Sequence, residues 1–292
     1  MSIKKATQMH ALGNVVFDSL SYFERRVILS RMQNNDIPRF MYKYRSINIS
    51  DKKSIDKIRE IIVWNEVWLS SPHNFNDPFD MRARFIFDGT IKDKIKTAKQ
   101  LAKLRDLNYK QTKVLVSNVV RETDEDARAY VEKSYYKQMK NMGVASFTGD
   151  PKSVLMWSHY SHNHTGICIQ YEVVRDFTFI SNLGEVKYYP DYPVFNWINS
   201  TPQKLHNILL HKYEGWKYEK EYRMVLIDRA DKPYKLNNRA ITGIIFGCKA
   251  SDEIIKKVLE IIKEREANGN PPINLYRAVQ HKSQYAVSIH RY

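Results

Sequence analysis

Cysteine is scarce in this 292-residue chain, which has only two, Cys168 and Cys248. Each lies in an apolar run, ICIQY and IIFGC, so they read as buried free thiols and no disulfide framework is expected. Long apolar runs are also lacking. None approaches the ~18 residues of a membrane helix, and the first residues, MSIKKATQMHALGNVVFDSL, have neither the apolar core nor the small-residue cleavage site of a secretory leader. The cytoplasm is therefore the expected location. The ten glycines are scattered, and neither a Gly-x-Gly-x-x-Gly fingerprint nor a phosphate loop occurs. Acidic residues are in deficit: 32 Asp and Glu stand against 47 Lys and Arg, a net charge of +15. Such a field favours polyanions, whether nucleic acid, nucleotide phosphates or an anionic surface. The excess is spread along the chain and not gathered into a basic arm.

Apolar residues make up 43% of the chain, enough for one main core with an added lobe. Val16, Leu20, Phe23, Val27 and Met32 recur at roughly helical spacing, which predicts a helix over 13–34, ended by Asn34 to Pro38. A strand follows at MYKYRSI (41–47), a helix from Ser54 to Trp64, a strand at 67–71 and a turn-rich loop, PHNFNDPFD, at 72–80. From Ile91 to Lys140 the chain is charged and lacks glycine and proline, which predicts a helical insertion. Short strand-like runs then cover 144–147, 166–172, 184–189, 222–227 and 242–248. Ser251 caps a helix with an acidic first turn, and a last strand falls in INLYRAV or YAVSI. The expected architecture is α+β, with small mixed or antiparallel sheets around a cleft, an N-terminal helix and a helical insertion. The expected organisation is an N-terminal helical segment, 1–40, and a single α+β domain, 41–292, interrupted at 91–140.

The richest stretch for chemistry is GWKYEKEYRMVLI. On a continuous strand, Glu219 and Glu221 share a face about 7 Å apart, with Lys217 and Arg223 flanking them. Two such carboxylates raise each other's pKa unless cations or donors compensate. They form either a solvated charged face or a pair lining a cleft, where a carboxylate can hold a sugar hydroxyl and stabilise positive charge on a ribose carbon. MYKYRS places Lys43 and Arg45 on one strand face and Tyr42 and Tyr44 on the other. ASFTG places Ser146, Phe147 and Thr148 at a strand end.

An arginine, a small hydroxyl residue beside an aromatic and a Glu-x-Glu strand together resemble the Arg, Ser-x-Ser/Thr, Glu-x-Glu triad of ADP-ribosyltransferases. The resemblance implies NAD as substrate. Arg45 would hold NAD phosphate or ribose, Ser146 would steady the nicotinamide side, Glu221 would engage the ribose and Glu219 would help the acceptor attack. The order YKYRS, WLSSPHNFNDPFD, VASFTGDPKSVLMWSHY, HTGICIQYE, WKYEKEYR and IIFGC also resembles bacterial domain-of-unknown-function family 2971, from about residue 41 to the C-terminus. Together these likenesses imply an ADP-ribosyltransferase-like fold. The implied activity is ADP-ribosyl transfer or NAD hydrolysis of the toxin or anti-phage type, on a protein or nucleic-acid acceptor. The pattern departs from transferases with a His, Tyr, Glu triad, because Lys43 or Arg45 stands where those enzymes carry histidine.

The stretch MWSHYSHNHTG gathers His159, His162 and His164 within six positions. Zinc needs three or four ligands at fitting spacing. His162 and His164 lie two apart in an expected turn, with no cysteine or second histidine pair at finger spacing, so no metal is expected. Trp157, His159 and Tyr160 instead offer flat faces and donors suited to one wall of a nicotinamide or base cleft. Lys43, Tyr44 and Arg223 join them as candidate binding residues. In NDPFD, Asn76 and Asp77 either bond nearby backbone amides or bind a polar ligand group. Two rival readings remain. Glu185 and Lys187, with Asp176 upstream, resemble the acidic and lysine set of Mg²⁺-dependent nucleases. The basic charge also fits a non-enzymatic nucleic-acid-binding module.

Overall fold

The alternation in MYKYRSI yields β1 (Phe40–Arg45), which lies inside the largest sheet and not at its edge. The structure, a computed structural model, describes residues 19–32, 38–121, 124–198 and 207–292. Of the helix expected over 13–34, the described part is α1 (Tyr22–Met32); residues 13–18 and 33–34 lie outside the described residues. After β1 come α2 (Lys52–Ile62), β2 (Glu66–Leu69) and β3 (Arg84–Ile86). The charged block forms three helices, α3 (Ile91–Leu104), α4 (Tyr109–Arg121) and α5 (Asp124–Met139). Next are β4 (Gly143–Thr148), α6 (Val154–Tyr160), β5 (Ile167–Glu172), α7 (Phe177–Ser181), β6 (Leu183–Glu185), β7 (Lys187–Tyr189), β8 (Val194–Asn196) and β9 (His211–Tyr213). The chain finishes with β10 (Glu221–Leu226), β11 (Lys232–Lys235), β12 (Ile241–Phe246), α8 (Asp252–Ala267), β13 (Asn274–Gln280) and β14 (Val287–Arg291).

These elements form two compact units. The first takes the described residues up to Ser70, Gly143–Val186 and Lys217–Tyr292; the second takes Ser71–Met142 and Lys187–Trp216. The architecture is α+β and mostly antiparallel. The expectation of small sheets is corrected in the first unit by an eight-stranded sheet, ordered β14-β13-β12-β5-β1-β4-β10-β6; the pair β2–β11 forms a separate small one. Its parallel pair, β12 and β13, is joined through α8, the kind of crossover that parallel strands require. The junction of β1 with β4 is unlike its neighbours. It holds the single register pair Tyr42↔Thr148, whereas β1–β5 and β4–β10 each hold six.

One face of the sheet carries Met41, Phe147, Ile167, Ile169, Met224, Ile244 and Phe246 in the main core. Ile55, Ile58, Ile61 and Ile62 are the buried side of α2, which begins at Asp51, whose carboxylate accepts from the Lys53 amide. In α8 the matching face is Ile255, Val258, Ile261 and Ile262 after the Ser251 cap. Arg265 of α8 is fully buried, and donates to the carbonyls of Ile62, Asn238 and Pro271 and to the side chain of Asn65. The opposite face carries Tyr44, Trp157, Cys168, Ile245, Ala278 and Val287. Cys168 is buried as expected and Cys248 is half-buried; both are free thiols.

Glu172, at the end of β5, ties α1 to this unit. It accepts from Tyr22 Oη at 2.9 Å and from the Nε atoms of Arg39 and Arg175, each at 2.8 Å. Burial pushes its carboxyl up, but the bonds from Arg175, Arg39 and Tyr22 outweigh burial and hold the pKa below its ordinary value of 4.5. The stabilisation is therefore complete above about pH 4.5 and fades as pH falls through the depressed folded value. Glu172→Gln is expected to lower stability by about 2–3 kcal/mol at pH 7. Melting curves of the two proteins should converge as pH approaches the depressed value; a constant gap would refute this linkage.

In the second unit, β3–β8 and β7–β9 are parallel pairs. Phe85 packs its ring against Tyr135 and Phe195 at 5.1 and 5.8 Å. Thr90 and Asp93 form a capping box that starts α3. The strand expected over 184–189 is corrected to two. The Val186 amide bonds the Glu221 carbonyl in the first unit, whereas the Lys187 amide bonds the Leu210 carbonyl in the second. The chain leaves one unit for the other at that point, which sequence alternation cannot register.

The histidine-rich stretch is a helix followed by a left-handed turn. α6 starts at the Ser153 cap, and His162, Asn163 and His164 then adopt φ of 51°, 54° and 69°. Each such non-glycine residue costs about 1 kcal/mol or more. Amides of Asn163, His164 and Gly166 reach back to the carbonyls of Ser158, Trp157 and Ser161, which offsets that cost. The turn lies tight against the strand ends. A Cβ at Gly247 would meet the His164 carbonyl, and one at Gly166 would meet the Arg45 carbonyl. Gly247→Ala is expected to destabilise the protein by about 3 kcal/mol, because backbone cannot yield as a side chain does. Chemical denaturation would check it; a loss below about 1 kcal/mol would show that the turn moves aside.

Candidate active site

Sequence alternation made Lys217 to Arg223 one strand. The structure corrects this: Glu214–Glu219 is a 3-10 helix, and β10 begins only at Glu221. Lys220, between them, takes φ of 44° and resets the chain direction. Lys217 is exposed and Lys220 bonds Asp150 at 2.8 Å. Glu219 and Glu221 are nevertheless both buried, each 4% exposed. Their partners differ. Tyr160 Oη donates to Glu219 Oε1 at 2.6 Å. Arg223, fully buried, holds Glu221 with two bonds, Nε to Oε1 at 2.8 Å and an Nη to Oε2 at 3.0 Å. This bidentate pairing occupies both oxygens of the buried Glu221 carboxylate.

Ladder register decides which candidates share a face. Tyr42 opposes Thr148, which opposes Glu221, and Ser146 opposes Arg223. Ser146, Thr148, Glu221, Arg223, Tyr42 and Tyr44 therefore share one face of the sheet. Arg45 and Lys43 lie on the other, opposite Ile167 and Ile169 of the main core. The expectation that the Arg45 guanidinium shares a hollow with the two glutamates is thus corrected. Arg45 lines a separate groove with residues of α2 and with Lys249, and its Nε is buried without a hydrogen-bond partner. Lys43 stays near the β1–β4 junction. Its Nζ donates to the Ser146 carbonyl at 2.5 Å and lies 5.0 Å over the Phe147 ring. Burial pulls its pKa well below the usual lysine value, Arg45 adds to that, and Glu221 opposes it.

The aromatic candidates fall into two kinds. Trp157 is fully buried, donates Nε1 to the Pro151 carbonyl and meets Tyr44 edge-on at 4.9 Å. The Tyr44 hydroxyl donates to the Asp150 carbonyl. These two rings are wall structure. Tyr160 and exposed His159 point to the glutamate side, His159 Nδ1 lying 3.2 Å from the Tyr218 hydroxyl. Tyr218 and Thr148 belong to this cluster. Tyr218 was not singled out in the sequence, although it sits inside the same WKYEKEYR segment.

Asn76 and Asp77 are not beside these residues in the ladder. They line a cavity made wholly of second-unit residues. Asp77 accepts from the Phe79 amide, the backbone-bonding role its turn suggested. The residues of the nuclease reading have other partners: Asp176 caps α7 at Phe179 and accepts from the Asn237 amide, and Glu185 and Lys187 lie in different sheets. Among the described residues no group of three or more His, Cys, Asp or Glu is placed to hold a metal ion. No described helix is long and apolar enough to cross a membrane.

Residues 156–224 match a family described as "Protein of unknown function (DUF2971)". The match begins at Met156, within α6, and ends just past Arg223, so it contains both glutamates with Tyr160 and Arg223. It is the family that the order of motifs resembles. No curated protein and no solved structure matches the chain.

Proposed function

We propose that this site cleaves the bond between nicotinamide and ribose in NAD and passes ADP-ribose to an acceptor or to water. The observation that carries the reading is the pair of buried carboxylates, Glu219 and Glu221, beside the one-pair junction of β1 with β4. The ribose would enter at that junction, where β1 and β4 pair at one residue. Two buried carboxylates stand with the Arg223 guanidinium and make this side of the sheet acidic. In low dielectric such a charge favours positive charge developing on the ribose carbon. The C1′–N bond breaks, its electron pair leaves with neutral nicotinamide, and an acceptor oxygen or nitrogen bonds to C1′. The acceptor's proton passes to Glu219, with Tyr160 holding that carboxylate in place. Arg45 has no part in this version; Arg223 orients Glu221 in its stead. The test is release of nicotinamide from labelled NAD by purified protein, alone and with cell lysate. If neither release nor label transfer occurs under any tested acceptor, the reading fails.

A further inference from the structure

The second unit leaves several large rings exposed around one cavity. Phe79 is 65% exposed, Tyr189 and Tyr192 are each 47% exposed, and Tyr213 is 56% exposed. All four border one cavity of about 610 Å³, whose lining also includes Asn76, Asp77, Asp191, His211, Lys212 and Trp216. Exposed rings scattered singly need no explanation, but a cluster around one concavity marks a binding surface.

The geometry narrows the ligand. In β7, Lys187 and Tyr189 are exposed and share a face, and in β9 the partners in register are His211 and Tyr213. Tyr189 and His211 already stack, with centroids 4.3 Å apart and planes 15° from parallel. The outer face of such a stack continues naturally into another planar ring. Lys212 lies over the Trp216 ring at 5.2 Å, and the Arg82 guanidinium lies over Tyr136 at 4.8 Å. Lys212 is buried and 3.8 Å from the Asp80 carboxylate, so Arg82 is the exposed cation among the lining residues, and the whole chain carries +15. A sugar or a proline-rich segment would also use flat rings, but neither is drawn by that charge. A polyanion bearing planar bases satisfies both features.

We propose that this cavity is a single-stranded nucleic-acid site, in which unstacked bases lie against Tyr189, Tyr213 and the rings beside them. Asn76, Asp77 and Asp191 stand at the cavity where exocyclic amino groups of a base can donate to them. Phosphates run along the exposed Arg82, which lines the cavity. The site is made of the second unit's own residues, so it does not depend on NAD cleavage by the first unit.

Fluorescence anisotropy with labelled (dC)12 and (C)12 oligonucleotides, whose bases carry the exocyclic amino group, tests the assignment on the full chain, at low and near-physiological salt. Both should bind, and more weakly as salt rises. The double variant Tyr189→Ala, Tyr213→Ala should weaken binding about tenfold or more, the loss of one stacked base, whereas Tyr189→Phe, Tyr213→Phe should stay within about threefold. Matching circular dichroism and melting of the variants would exclude misfolding. The proposal is overturned if the oligonucleotides do not bind or if the alanine pair binds as tightly as the parent. It is also overturned if a neutral oligosaccharide or proline-rich peptide binds in their place. Glu221→Gln should leave oligonucleotide affinity unchanged, so this proposal and the NAD reading can fail separately.

Discussion

Glu221→Gln is expected to cut nicotinamide release from NAD by about 10²–10³-fold, the usual penalty for removing a preorganised charge from a developing ionic centre. Glutamine keeps the size and planarity of the side chain and one acceptor oxygen for Arg223. It loses the negative charge that would favour the cationic ribose. The substitution removes the charge that faces the buried Arg223 guanidinium, so activity must be measured well below the variant's own melting temperature, with far-ultraviolet circular dichroism confirming the fold. Glu221→Asp is the companion variant. It retains the charge but withdraws it from the site by a methylene, and should fall between the two. Glu219→Gln should spare hydrolysis more than transfer, because Glu219 is assigned to the acceptor. Equal activity of Glu221→Gln and parent, with the fold intact, would remove the reading.

The largest expected stability effect belongs to Arg223. The residue is fully buried, and its two bonds to Glu221 are the salt bridge with the least exposure among the described ion pairs, 0% and 5% for the two side chains. Arg223→Met should cost about 3–5 kcal/mol, because the buried Glu221 carboxylate loses its bidentate cation. Its pKa should rise, and the loss should shrink at acid pH as the carboxyl protonates. The double variant Glu221→Gln, Arg223→Met removes both charges. It should recover much of the stability, since a buried ion pair replaced as a whole is often nearly neutral. Urea denaturation of parent, two single variants and the double variant closes this cycle. If the double variant is no more stable than Arg223→Met, charge burial is not what Arg223 contributes.

The sequence showed local structure well where one residue pattern had one physical meaning. Ile55, Ile58, Ile61 and Ile62 at helical spacing, the Ser251 cap before an acidic first turn, and the glycine-free block from 91 to 140 all became helices. The alternation in MYKYRS put the tyrosines and the cations of β1 on opposite faces, and the register agrees. Which face Glu221 would share was not readable, because it depends on the pairing of β1 with β4 and of β4 with β10, strands far apart in sequence. The continuous strand through Glu219 failed at Lys220, whose positive φ no lysine preference announces. The left-handed run at His162 to His164 was hidden for the same reason. Exposure of Tyr189, Tyr192 and Tyr213 was equally illegible. Tyrosine in a short strand reads as core, and only tertiary placement shows which rings were left outside.

The interrupted layout of the first unit bears on its synthesis. β5 is flanked by β1 on one side and by β12 on the other, and β12 begins only at Ile241. While the ribosome is still making the residues before Ile241, one border of β5 offers a row of open amides and carbonyls that other strands can take up. The apolar residues of that strand wait with it. Pairings over such distances close slowly, so the nascent chain passes through a long aggregation-prone interval in which chaperones have their best opportunity to hold it.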